Sequence, residues 1–120
     1  MKPTIDSTTF GSITIDGNAY EHDVIIRLDG TVKKRKKELS KARYGTSHTI
    51  AREEAEFVFQ PGATLLVIGA GQNGCVELSS EAVAYLTQQG CAVRLAPTPA
   101  AVQTWNNTEG KVIGLFHTTC

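Results

Sequence analysis

The feature that most constrains this chain is a buried-strand pattern that runs directly into a glycine-rich loop. Thr64–Ile68 is almost entirely apolar, and the loop Gly69–Gly74 that follows it has the spacing G-x-G-x-x-G. In dinucleotide-binding domains the third glycine of this spacing lies in the first turn of a helix, whose N–H groups hold a pyrophosphate. The segment predicts a strand of a parallel sheet, and it raises the question of whether the loop binds a nucleotide.

The residues beyond the loop argue against a dinucleotide site. Cys75–Leu78 alternate like an extended segment, and the helical pattern begins only at Ser79. The next strand pattern, Cys91–Leu95, runs into Ala96-Pro97 and offers no acidic residue for a ribose hydroxyl. Because a lone G-x-G-x-x-G is a weak signal, the sequence favours a glycine-rich turn at the carboxyl edge of a sheet. No cofactor is predicted.

The chain divides into an antiparallel part and a parallel part. In Gly11–Arg35, alternating apolar residues and the pairs Asp16-Gly17 and Asp29-Gly30 predict an antiparallel meander with tight hairpins. From Thr64 onward, strand and helix patterns alternate up to Lys111–Phe116, which predicts a parallel β-α-β-α-β unit. The sequence therefore predicts one α/β domain over residues 1–120.

Helix boundaries follow from capping residues and apolar spacing. Lys36–Thr49 is predicted to be a polar connector, and Ile50–Phe59 has helical spacing with acids near its start. Ser79 is a suitable N-cap for a helix to Gln89. Thr98 is a suitable cap for a helix that ends near Asn106.

Composition excludes several classes of protein. No apolar run approaches the roughly 20 residues that span a bilayer, and the first residues contain no apolar export signal. The three cysteines (Cys75, Cys91 and Cys120) are odd in number and lack C-x-x-C spacing, so neither a disulfide framework nor a metal site is predicted. We therefore expect a cytoplasmic protein that does not enter a membrane.

The net charge of zero conceals a strongly basic segment. Seven basic residues stand against the single acid Glu38 between positions 33 and 43: Lys33, Lys34, Arg35, Lys36, Lys37, Lys41 and Arg43. Such a segment is either a solvated strand end or a patch that attracts an anion or an acidic partner. No aromatic residue interrupts it to stack on bases, so nucleic-acid binding is open but not indicated.

Several short motifs together resemble a known family. They are Phe10-Gly11, Asp16-Gly17, Tyr20–Ile26, Val67–Gly74, Pro97–Val102 and His117–Cys120. In this order and spacing they resemble the Mth938-like domain family, a domain of unknown function. The resemblance implies a three-layer α/β domain with an antiparallel N-terminal part. It also implies relatives that include a mitochondrial assembly factor for respiratory complex I, and it argues against a dehydrogenase.

The candidate site residues follow from the predicted sheet. Ligands of open α/β sheets bind beyond the carboxyl ends of the strands, where the pattern places Gly69, Gly71, Gly74, Thr98 and His117. If the connector folds back over this edge, His48 and the basic segment join them and form an anion site.

No catalytic residue is predicted, because nothing in the sequence orients a Cys120–His117 pair. The sequence favours a non-enzymatic module that binds a protein partner or assists assembly. The alternative is a small anion- or nucleotide-binding protein or enzyme that uses the glycine loop.

Overall fold

The computed structural model describes residues 2–120, which form ten strands and four helices. The strands are β1 (Ile5–Thr9), β2 (Ser12–Ile15), β3 (Asn18–Tyr20), β4 (Val24–Ile26), β5 (Val32–Lys34), β6 (Thr49–Ile50), β7 (Leu65–Ala70), β8 (Glu77–Leu78), β9 (Ala92–Ala96) and β10 (Val112–His117). The helices are α1 (Glu38–Tyr44), α2 (Arg52–Val58), α3 (Ser80–Gln88) and α4 (Thr98–Asn107).

The main sheet has five strands in the order β5-β4-β10-β7-β9. Strand β7 pairs in parallel with both β10 and β9, whereas β4 pairs antiparallel with β10 and with β5. This arrangement confirms the predicted α/β class and its parallel β-α-β-α-β unit. The carboxyl ends of β7 and β10 lie side by side, because His117 pairs with Ala70.

Two hydrophobic clusters on opposite faces of this sheet make the fold three-layered. Leu66 and Ile68 of β7 point into a cluster with α2 and α3. Val67, between them, points into a second cluster with α4 and with the sheet formed by β1, β2 and β3. The period of two along a strand sends successive side chains to opposite faces, so a continuously apolar strand is buried on both sides. The three-layer expectation is confirmed.

The N-terminal half departs from the predicted single meander. Strands β1, β2 and β3 form a separate antiparallel sheet, while β4 and β5 belong to the main sheet. The chain crosses between the two sheets at Glu21–Asp23, where Asp23 is hydrogen-bonded to His117, the last residue of β10, and to Thr118. Local alternation predicts strands, but it does not indicate which sheet they join.

The predicted connector Lys36–Thr49 contains a helix, α1, of seven residues. Its only buried residue is Ser40, so it lacks the apolar stripe by which helices are recognised in sequence. The following helix begins at Arg52 rather than Ile50, because Ile50 pairs with Leu78 in the short parallel sheet of β6 and β8.

The predicted turn and cap signals hold at two places. Asp16 and Gly17 have φ values of 47° and 80°, the positive pair that a tight hairpin turn requires. Ser79 Oγ accepts a hydrogen bond of 3.1 Å from the N–H of Ala82, which confirms the predicted N-cap.

Among residues 2–120, every helix is too short or too polar to cross a bilayer.

Candidate functional site

The carboxyl ends of β7 and β10 are joined by the hydroxyl of Thr98. This buried oxygen accepts a hydrogen bond of 2.9 Å from the N–H of Gly71 and donates one of 2.6 Å to the carbonyl of His117. The prediction that Thr98 caps its helix is therefore wrong, because α4 has no side-chain cap. Both hydrogen-bonding functions of the hydroxyl are used inside the protein.

The glycine loop binds the chain's own backbone. The N–H groups of Gln72 and Asn73 donate to the carbonyls of Thr119 and Cys120 at 2.6 and 2.8 Å, and the N–H of Cys75 also donates to Cys120 at 3.3 Å. These donors are the ones that the nucleotide interpretation assigned to a phosphate. In this conformation they are occupied by residues 119–120.

Gly71 makes this close approach possible. Its φ is +98°, and a Cβ built on it would lie 2.2 Å from the carbonyl carbon of Cys120 and 2.8 Å from Cδ2 of His117. Only glycine accommodates both the backbone conformation and the lack of space. The loop therefore shapes the edge of the sheet around the segment that follows β10.

Arg35 lies in a buried ionic network and is not part of an exposed basic patch. Its guanidinium binds Glu54 through two hydrogen bonds of 2.6 and 3.1 Å, Asp23 at 3.0 Å and the carbonyl of Ser47 at 2.8 Å. Ser40 Oγ donates to Glu54 and accepts from the N–H of Ala51. The other six basic residues of the segment are exposed.

Asp23 carries the network to the carboxyl edge of the sheet. Its Oδ2 lies 2.6 Å from Nδ1 of His117, and its Oδ1 accepts from the N–H and the hydroxyl of Thr118 at 2.8 and 3.1 Å. Burial alone would raise the pKa of Asp23. The hydrogen bonds from His117 and Thr118 and the positive charge of Arg35 outweigh it, so the pKa lies well below its ordinary value. Asp23 therefore joins the segment between β3 and β4 to the end of β10.

His117, His48 and Cys120 converge beside this network. Nε2 of His48 lies 3.4 Å from Sγ of Cys120, and the two imidazoles meet edge to face with centroids 5.5 Å apart. One candidate ligand atom from each of the three residues lies within 4.8 Å of the others. His48 is placed there by the pairing of β6 with β8, in which its carbonyl accepts from the N–H of Glu77.

A cavity of about 210 Å³ opens next to these residues. Asp23 and Arg35 line it together with two further cations, Lys34 and Lys37. Thr118 and Thr119 also line it, so the cavity adjoins the segment that carries Cys120. The cavity therefore combines a buried ion pair with two solvent-facing lysines.

A family model described as a protein of unknown function, DUF498/DUF598, matches residues 5–117 of the chain. The chain belongs to this family. The solved structure named MT938 is 30% identical with a TM-score of 0.80, and the match covers 99% of this chain and 100% of that one. A conserved hypothetical protein of Pyrococcus horikoshii, PH1505, is 29% identical with a TM-score of 0.91, and coverage is 98% and 99%.

A Mth938-like domain protein of Bordetella pertussis shares the fold at 19% identity, with a TM-score of 0.63 and coverage of 97% and 85%. The recognition of a Mth938-like domain is thus confirmed. The family is one of unknown function, so membership establishes the fold and leaves the role of the site to be argued from its geometry.

In this DUF498 chain, several of the predicted site residues lie together. Gly71, Thr98, His117 and His48 adjoin the carboxyl edge of the sheet. Gly69 packs against Phe116 and Thr98, and Gly74 faces Pro97, so these two glycines contribute shape. Arg35 reaches the edge from within the protein, whereas Lys34 and Lys37 line the adjoining cavity.

Asp23 and Glu54 escaped the sequence analysis as site residues, and Cys120 was considered only together with His117 and not with His48. Cys120 and His48 are 72 positions apart, and Glu54 is on the helix α2, where acids were interpreted only as favourable to the helix dipole. No local spacing links them. The one available signal was a carboxylate, Glu54, on the apolar side of a helical pattern, where a charge requires a partner.

Proposed function

We propose that this chain is a non-enzymatic protein-binding module, of the kind that assists assembly, and that it docks an acidic segment of its partner. The observation that carries the proposal is a basic edge, formed by the exposed cations of β5 and of the segment through α1. Its members are Lys33, Lys34, Lys36, Lys37, Lys41 and Arg43.

Most of these cations have no carboxylate partner within the described residues. Among residues 2–120, only Arg43 of this group forms ion pairs, with Glu53 at 3.1 Å and with Glu81 at 3.7 Å. Lys36 instead lies 4.7 Å from the centroid of the Phe57 ring. Like charges that are near one another in the sequence and lack a carboxylate partner repel one another, and an acidic surface would relieve that repulsion.

A simpler explanation accounts for only part of the basic edge. Lysines on an edge strand discourage sheets of different molecules from pairing, and β5 is an edge strand of the main sheet. Lys36, Lys37 and Lys41 follow the strand, where this protection is not needed. Their presence favours recognition over mere solubility.

A triple charge reversal, Lys33→Glu with Lys34→Glu and Lys37→Glu, tests the proposal. The matched control is Arg94→Glu with Lys111→Glu, two exposed cations elsewhere on the molecule. Tagged versions are incubated with nuclease-treated extract of the source organism, and captured proteins are quantified by mass spectrometry at low and high salt. We expect a protein retained by the wild type and the control, lost from the triple variant, and released as salt rises.

Capture of the same proteins by all three versions would contradict the proposal, as would the failure of the wild type to retain any protein specifically. Circular dichroism confirms beforehand that the variants are folded. A protein captured from untreated extract but not from nuclease-treated extract would instead indicate the nucleic-acid interpretation.

A small anion is the second candidate, and the cavity beside the basic edge favours it. Lys34 and Lys37 can attract an anion there, and the hydroxyls of Thr118 and Thr119 lie in the same lining. This location differs from the predicted one, because the amides of the glycine loop bind residues 119–120. A thermal-shift panel of phosphate and nucleotides tests it, since a ligand that binds only the folded state raises Tm. No shift at millimolar concentrations removes this candidate.

A further inference from the structure

The convergence of His48, His117 and Cys120 has the composition of a metal site. Two imidazoles and one thiolate are the ligands preferred by borderline and soft transition metals such as zinc. The three candidate ligand atoms lie within 4.8 Å of one another. With Zn–N near 2.0–2.1 Å and Zn–S near 2.3 Å, neighbouring ligand atoms of a tetrahedron are about 3.3–3.8 Å apart. The pair formed by Sγ of Cys120 and Nε2 of His48, at 3.4 Å, already has this spacing.

The orientation of His117 supports the same conclusion. Its Nδ1 lies 2.6 Å from Oδ2 of Asp23, and a carboxylate accepts the proton of that nitrogen. Nε2 is then the nitrogen with a lone pair, and it lies 3.0 Å from the hydroxyl of Thr119, on the other side of the ring from Asp23. A carboxylate that fixes the tautomer and ring angle of a ligating histidine is the usual outer layer of a protein zinc site.

Asp23 is itself held firmly enough for this task. Its second oxygen is bound by the N–H of Thr118, and Arg35 approaches its first at 3.0 Å. Arg35 is in turn locked by Glu54. A carboxylate secured from both sides fixes the imidazole before any ion arrives, which reduces the entropy lost on binding.

Cys120 is held in place by the glycine loop. Its carbonyl accepts hydrogen bonds from Asn73 and Cys75, and the missing side chain at Gly71 leaves the space that its backbone occupies. The loop thus presents the thiol both to His117, three residues earlier in the sequence, and to His48, 72 positions away.

We propose that His48, His117 and Cys120 form a binding site for a zinc-class divalent cation, with the fourth coordination position left to solvent. The thiol of Cys120 releases its proton to solvent and binds as thiolate. The hydroxyl of Thr119, which now pairs with Nε2 of His117, turns away to admit the ion. Three protein ligands leave one coordination position open, whereas structural zinc sites have four protein ligands. This proposal does not depend on the protein-binding role.

Cobalt(II) serves as the spectroscopic reporter, and zinc(II) as the competitor. The full chain is treated with chelator, kept reduced with a phosphine, and titrated with each metal alone. We expect one equivalent of cobalt to give a thiolate-to-cobalt band in the near ultraviolet and visible absorption typical of four-coordinate cobalt. Added zinc should abolish both signals.

Variants identify the ligands. Cys120→Ser should remove the thiolate-to-cobalt band, and His48→Gln should weaken cobalt binding at least tenfold. The controls are His22→Gln, an exposed histidine, and Cys91→Ala, a buried thiol elsewhere in the core; both should bind within twofold of the wild type. Asp23→Asn should weaken binding by about 10–100-fold, the usual effect of losing a partner of a ligating histidine.

The proposal is overturned if the wild type gives no thiolate-to-cobalt band at millimolar cobalt. It is equally overturned if Cys120→Ser keeps the band, or if His48→Gln binds as tightly as the wild type. Far-ultraviolet circular dichroism of each variant shows that the chain is folded, so a lost signal reports a lost ligand. His48 and Cys120 are only partly buried, which makes their replacement compatible with folding.

Discussion

At the scale of single residues, the guanidinium of Arg35 joins several parts of the site. It is 2% exposed and links β5 to α2, to Asp23 and to the backbone of Ser47. Burial would lower the pKa of Arg35, but Glu54 and Asp23 more than offset this and raise it. The charge is therefore retained, and the network is stable only while all its members are present.

Arg35→Met should destabilise the fold by about 3 kcal/mol or more, because it leaves two buried carboxylates without their cation. Urea unfolding measures the change in the free energy of unfolding. Lys33→Met is the matched control, since Lys33 is exposed on the same strand, and it should change stability by less than about 0.5 kcal/mol. Equal effects of the two substitutions would show that the network contributes little.

Asp23 makes the free energy of unfolding depend on pH in the acidic range. Its pKa in the folded chain is below its ordinary value of 3.8, so the unfolded chain takes up a proton more readily. The stabilising contribution of the carboxylate is complete above that ordinary value and is lost as pH falls toward the folded pKa. Comparison of the wild type with Asp23→Asn at a series of pH values should show a stability difference that shrinks below about pH 4. A difference that is constant with pH would contradict this assignment.

At the scale of elements, the stability of α3 depends on the hydroxyl of its N-cap residue, Ser79. Ser79 Oγ accepts the N–H of Ala82, so Ser79→Ala should lower the free energy of unfolding by about 1 kcal/mol. Ser80→Ala removes a neighbouring hydroxyl that contacts only the exposed Glu81, and it should shift the denaturation midpoint less. If the two midpoints coincide, the capping bond has no measurable effect.

Two glycine variants can separate the cost of a left-handed backbone from the cost of a steric clash at the glycine loop. Gly71 and Gly62 have nearly the same φ, +98° and +96°, but a Cβ meets the backbone of Cys120 at Gly71 and nothing within 4 Å at Gly62. Both Gly→Ala variants incur the left-handed cost of about 1–2 kcal/mol. Only Gly71→Ala should lose about a further 1–3 kcal/mol from overpacking. We also expect faster labelling of the Cys120 thiol in Gly71→Ala, measured in a Cys75→Ser background. Unchanged labelling would contradict the inference that the glycine loop holds Cys120 in place.

At the scale of the whole molecule, exposed cations are concentrated in one segment of the chain. The basic edge carries six exposed cations, although the chain is neutral overall. We expect the wild type to be retained on a cation exchanger at pH 7 and low salt, because a local patch and not the net charge controls adsorption. The Lys33, Lys34 and Lys37 reversal should elute in the flow-through, whereas reversal of Arg94 and Lys111 should still be retained. Identical elution of all three would argue against a coherent patch.

Much of the fold could be predicted from the sequence, but little of the site. The alternation from Thr64 to Phe116 gave a parallel unit because burial on both faces and caps such as Ser79 act locally. Helix α1 was missed because its contact with the core is a polar one, from Ser40 to Glu54. The convergence of His48 with Cys120 depends on the pairing of β6 with β8. It also depends on the close approach of the Cys120 backbone to Gly71. Those are long-range contacts that no spacing in the sequence records.

The burial of Trp105 in one of the two hydrophobic clusters makes its fluorescence a reporter of that cluster alone. It is the only tryptophan, its indole N–H donates to the carbonyl of Pro3 at 2.9 Å, and it meets Phe116 edge to face. All of these contacts lie in the half of the interior that α4 shares with β1 and β2. Emission from this indole follows the melting of that half alone, while far-ultraviolet ellipticity follows the backbone everywhere. Superimposed transitions would mean that both halves melt as one cooperative unit.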